Sequence, residues 1–115
     1  MSNEVIVVRI YLHETEHGRR TTLQEEILAL LHDQHRVQGV TVFRGIAGFG
    51  ASGTVRAADL LRLTADLPIV IEFYDKPEVA EAAMKLLNGL VPDGHVVWWR
   101  ANCRTLGNGH LEPPA

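Results

Sequence analysis

The chain has a single cysteine, Cys103, two lysines, Lys76 and Lys85, and no long apolar run. One thiol excludes an intrachain disulfide and fits a reducing compartment. The longest early apolar stretch, Val5 to Val8, is far too short for a secretory leader or a membrane span, so a cytoplasmic location is expected. Positive charge is not in excess. The net charge of −3 gives no global field toward nucleic acid or anionic lipid, and no nucleic-acid partner is expected. The sequence contains no C-x-x-C, no H-E-x-x-H and no G-x-S-x-G, which leaves Ser52 and Cys103 without a recognisable nucleophile setting. No enzyme is expected. What is present, 115 residues with 46% apolar and 22% charged content, is the composition of one globular domain.

Hydrophobic patterning divides the chain into six elements. Glu4 to Leu12 is rich in β-branched residues and reads as a central strand. Thr22 and Glu25 form a capping-box pattern ahead of a helix whose Leu23, Ile27, Leu30 and Leu31 share a face. That helix is expected to stop near Gln38-Gly39, with glycine in a left-handed cap. Val40 to Ala47 reads as a second strand, and Thr54 to Thr64 as a short helical turn inside a long loop. Leu67 to Tyr74 is a third strand. Pro77 opens a second helix, striped by Val79, Ala83, Leu86 and Leu87 and stopped by Asn88-Gly89. His95 to Arg100 is a fourth strand, and residues 101–115 read as a frayed tail after a domain at 1–100.

The order β-α-β-β-α-β is satisfied by an α+β, ferredoxin-like architecture: one antiparallel sheet, two helices on one face, and a long loop between strands two and three. Two helices cover one sheet face only. Val5-Ile6-Val7-Val8 and Pro68-Ile69-Val70-Ile71 are apolar on both faces, which calls for burial on both and hence for a homo-oligomer. Strand alternation places one of Trp98 and Trp99 inside and leaves the other half-exposed.

Two glycine-bearing stretches are candidate binding elements. The first, Arg44 to Gly53, holds four glycines in nine residues (Gly45, Gly48, Gly50 and Gly53) and one large apolar side chain, Phe49. Successive amides in such turns form anion-binding nests, with Arg44, Arg56 and Arg62 as the nearby cations. Gly48 to Gly53 also matches G-x-G-x-x-G, but the segment that follows is too short for the dinucleotide-binding helix and the chain lacks room for that fold. The second stretch, Asn88 to His95, carries Gly89, Asp93 and Gly94 between helix two and strand four. Its simpler reading is a helix cap followed by a turn. Two nests and their arginines, brought together between subunits, would suit a phosphate-bearing ligand. Six histidines raise a metal alternative, with His32 and His35 on one helical face and His13 and His17 in a loop, although zinc needs three or four converging ligands.

The segments RGIAGFG, at Arg44 to Gly50, and LRLTADLPIVIE, at Leu61 to Glu72, resemble the PII-like family catalogued as domain of unknown function 190. His17 to Ile27 is similar to that family's WHG-x-PLYEAIV region, and the resemblance spans about residues 5–100. It implies a homotrimer of the PII signalling type, with nucleotides such as ATP, ADP, AMP or cyclic AMP held in clefts between subunits. It also implies a loop, here residues 44–62, that engages a partner protein such as a membrane transporter or channel. The ligand-binding positions it implies are Arg44, Gly45, Gly48, Phe49, Gly50, Arg56, Arg62, Gly89, Asp93 and Gly94. Pro92-Asp93-Gly94 resembles the G-D-G turn of PII proteins. Two departures stand out: no tyrosine lies between positions 40 and 70, and no lysine matches those that PII proteins place near phosphate. A related possibility is a metal-binding trimer resembling divalent-cation tolerance proteins.

Overall fold

The computed structural model describes residues 3–16, 18, 20–33, 37–47, 67–92, 94–104 and 106. The element order is β1 (Glu4–His13), α1 (Leu23–Asp33), β2 (Thr41–Arg44), β3 (Pro68–Asp75), α2 (Pro77–Leu87) and β4 (Val96–Asn102). The strands form one sheet in the order β2-β3-β1-β4, every neighbouring pair antiparallel. This is the ferredoxin-like arrangement expected from the sequence. The turn or helix expected within Thr54 to Thr64 lies outside the described residues.

Period-two alternation decides the faces. On β1, Ile6, Val8, Ile10 and Leu12 are buried, and they join Ile69, Ile71 and Phe73 of β3 beneath the helices. Leu23, Ile27 and Leu31 of α1 and Ala80, Ala83 and Leu87 of α2 close the same core from above. The small alanines let α2 lie close over β1 and β3.

Local signals account for the ends of the elements. Thr22 caps α1 through Glu25 N–H to its Oγ1 at 3.3 Å. The return half of the capping box is absent, because the Glu25 carboxylate instead accepts from the Thr21 hydroxyl at 2.6 Å. Pro77 occupies the first turn of α2, where no intrahelical donor is needed. Asn88 ends that helix by donating to the Met84 and Lys85 carbonyls, and Gly89 follows at φ +89°. Gly39 does not adopt a positive φ, contrary to the left-handed cap expected there. β2 is shorter than the apolar run around it: pairing covers Thr41 to Arg44 only.

Among the described residues no helix lies over the other sheet face. Val7, Arg9, Tyr11, Val70, Glu72, Tyr74, Val97 and Trp99 lie on it by register. Tyr11, Phe43, Tyr74, Val97 and Trp99 are each at least 40% exposed. Near its centre Arg9 Nε donates to Glu72 Oε1 at 2.6 Å, and the guanidinium lies 5.5 Å from the Trp99 ring centroid. The hydrogen bond to Glu72 first, then that to Tyr11, raises the Arg9 pKa above its already high ordinary value, so the guanidinium keeps its charge. Trp98 faces the helix side yet is 47% exposed, because β4 is an edge strand that the helices do not cover. Both tryptophans are therefore accessible, against the expected single buried one.

Ile71 is fully buried beneath the helices, so truncation leaves a cavity there. Ile71→Ala is expected to lower unfolding free energy by about 2–5 kcal/mol in a denaturant titration, with the slope unchanged.

Candidate functional site at one end of the sheet

Register sets the geometry of the site. His13 pairs with Pro68, Ile10 with Val96, and Arg44 with Ile69. The end of β1, the start of β3, the end of β2 and the start of β4 therefore share one end of the sheet. Arg44 and Gly45 sit on its β2 edge, and Gly94 and His95 on its β4 edge. Three inter-strand steps of about 4.8 Å put these edges roughly 14 Å apart within a chain.

Glu14 ties the β2 side together. Its carboxylate pairs with the Arg44 guanidinium and accepts from Leu67 N–H at 3.4 Å. Glu14 N–H donates in turn to the Leu67 carbonyl at 2.9 Å, and Gly45 N–H to the Pro68 carbonyl at 2.8 Å. A Cβ on Gly45 would lie 2.5 Å from Pro68 Cγ, so glycine is what permits this close approach. The chain thus leaves the sheet after Gly45 and returns at Leu67 through a base fastened by one carboxylate.

Glu16 and His95 organise the β4 side. Glu16 Oε1 accepts from His13 N–H at 3.1 Å and lies 3.9 Å from His95 Nδ1. The His95 carbonyl accepts from Tyr11 N–H at 2.8 Å, fixing the start of β4. The connection before it turns on Gly89 and on Gly94, at φ +81°. Behind that connection lies a pocket of about 360 Å³, walled by Met84, Leu87, Val91, Val96 and Trp98, with Lys85 and Asn88 from the end of α2.

Of the expected ligand positions, Arg44, Gly45, Gly89 and Gly94 are described, and all four lie toward this end. One chain does not bring the two pairs together, since β3 and β1 stand between them. Gly48, Phe49, Gly50, Arg56, Arg62 and Asp93 lie outside the described residues. The metal alternative gains no ligand set: among the described residues no three His, Cys, Asp or Glu side chains are grouped to hold an ion. His32 is on the exposed end of α1 with Nδ1 3.1 Å from Asp33 Oδ1, and His17 and His35 are outside the described residues. Sequence reasoning missed Lys85, Met84 and Trp98 as pocket residues. The available signals were the parity of Trp98 with buried-side Val96 and the position of Lys85 in the last turn before Asn88-Gly89.

The family model for DUF190, described as "Uncharacterized ACR", matches residues 5–103, almost the whole described fold. The chain belongs to the DUF190 family. It is similar to a UPF0166 protein of Methanocaldococcus jannaschii, 32% identical over 98 residues covering 78% of this chain and 89% of the relative. A UPF0166 protein of Aquifex aeolicus is 29% identical over 83 residues, covering 72% and 78% respectively. These family and relative names assign no activity. Among the described residues of this DUF190 chain, no helix is long and apolar enough to cross a membrane.

Glu14→Ala is expected to speed amide hydrogen exchange at Leu67 and Gly45 while leaving Ile71 protected, because it removes the carboxylate at the loop base and nothing from the core. The change in global stability is expected to stay below about 1 kcal/mol, the range of exposed ion pairs.

Proposed function

We propose that this DUF190 protein is a PII-like regulatory protein and not an enzyme. It binds an adenine nucleotide (ATP, ADP, AMP or cyclic AMP) between the subunits of a homotrimer. It acts on a partner, such as a membrane transporter or channel, through the loop 44–62. The observation that carries this reading is the placement of the two glycine sites at one end of the sheet but on opposite edges. With four alternating strands, a β2 edge set beside the β4 edge of another copy continues the antiparallel pattern. Head-to-tail contacts of that kind close into rings. Such a ring sets Arg44 and Gly45 of one copy beside Gly94 and His95 of the next, and the cleft is incomplete without the second copy.

Two further features support the reading. The sheet face that no described helix covers presents aromatic and β-branched side chains around an Arg9–Glu72 ion pair, and closing a ring gives that face something to bury against. Arg44 offers a physical link between ligand and loop. Its guanidinium is paired with Glu14, which also holds Leu67 at the loop's return. A phosphate competes with Glu14 for the same guanidinium, so ligand and loop base share one partner, the differential contact that a ligand-driven switch requires.

Light scattering is expected to give about three times the 12.8 kDa chain mass, and calorimetry to detect one of the four nucleotides, with and without magnesium. Arg44→Ala should weaken that binding at least several-fold, as loss of a charge-assisted contact does. Val97→Glu, which puts a charge on the uncovered face, should lower the assembled mass. A monomer that binds no nucleotide would overturn the reading.

A further inference from the structure

We infer that the pocket between the end of α2 and β4 is the subsite for an aromatic ring that carries an anionic group. Trp98 stacks the ring and Lys85 faces the anion. The inference rests on the proposed nucleotide-binding function and names how the base would be held, but its walls come from a single chain. The pocket volume of about 360 Å³ is that of a small-ligand site. Met84, Leu87, Val91 and Val96 supply an apolar floor, and the half-exposed indole of Trp98 lines the same pocket. Bases and other planar rings gain their contact energy against such surfaces without sequence-specific hydrogen bonds.

Charge selects the class. Lys85 is the one ionisable group among the described residues lining the pocket; Asp93, between the lining Pro92 and Gly94 in sequence, lies outside the described residues. Gly94, in the left-handed region, and the amide side chain of Asn88 add polar groups at the rim. A cation and an amide at the mouth of an apolar slot fit a ring with a phosphate or carboxylate at one end, and disfavour a cationic ligand. Strand parity connects this subsite to the cleft. Val96 and Trp98 lie on the helix side of β4, opposite Ile10 and Val8, and Arg44 lies on the helix side of β2, opposite Ile69. In the proposed ring a neighbour's Arg44 therefore enters on the same side of the sheet as Trp98 and Lys85. Ring, lysine and arginine then line one continuous site, the two cations converging on the anion.

The test uses the full chain carrying Trp99→Phe, so that Trp98 is the sole indole, titrated with AMP, adenosine and inorganic phosphate. AMP and adenosine are expected to quench its fluorescence, and phosphate alone is not. By calorimetry Trp98→Leu should weaken both AMP and adenosine about tenfold, Trp98→Phe should restore most of that loss, and Lys85→Gln should weaken AMP while leaving adenosine unchanged. Wild-type affinity for AMP in Trp98→Leu would overturn the ring subsite even if Arg44→Ala abolishes binding. Adenosine binding that depends on Trp98, together with AMP binding indifferent to Arg44→Ala, would keep the subsite and remove the intersubunit cleft. Failure of both AMP and adenosine to bind would overturn it.

Discussion

The structure depends on β1 being sealed on one side only. Ile6, Val8, Ile10 and Leu12 point alternately into a core closed by α1 and α2, and the strand is paired on both edges, to β3 and β4. A central strand held this way fixes the register of its neighbours, because a slip of one residue would turn its whole buried set outward. Register in turn decides which chain ends share a rim. The pairing of His13 with Pro68 and of Ile10 with Val96 is what puts the base of the glycine loop and the glycine turn before β4 on one end of the sheet.

That rim is organised by carboxylates rather than by the cations a search for an anion site would look for. Glu14 holds Arg44 and Leu67, and Glu16 lies between His13 and His95. The arginine at the loop base is thus already engaged, and an anion reaching it must compete. A binding contact that displaces an internal one can report occupancy to the chain on both sides of the loop; a free surface arginine has no such lever. On the other edge the same rim opens onto a pocket whose described lining is apolar apart from Lys85 and Asn88. The two edges differ in chemistry, one cationic and backbone-rich, the other aromatic and apolar. In the proposed head-to-tail contact these two chemistries would meet.

Much of the fold was legible in the sequence. The β-branched run at Glu4 to Leu12, the Thr22 cap, Pro77 at a helix start and Asn88-Gly89 at its end are local signals, and local backbone chemistry honours them. Less legible were features set by neighbours. Gly39 was read as a left-handed cap and is not one, and the apolar run from Val40 pairs for only four residues because pairing needs a partner at each position. Strand alternation alone placed one tryptophan inside; both are accessible because β4 is an edge beyond the reach of the helices. Lys85 and Trp98 were not read as neighbours, since twelve residues and a change of element separate them.

The sequence by itself determined the element order, the buried side of each strand and membership of the ferredoxin-like class, because period-two and period-3.6 burial and the caps between them are written in adjacent residues. Only the tertiary structure decided what meets at the rim. The partner of Arg44, the closeness of Gly45 to Pro68, the opposite placement of the two glycine sites and the pocket between Lys85 and Trp98 all follow from strand order and register. Those are set by long-range pairing, and no spacing along the chain encodes them.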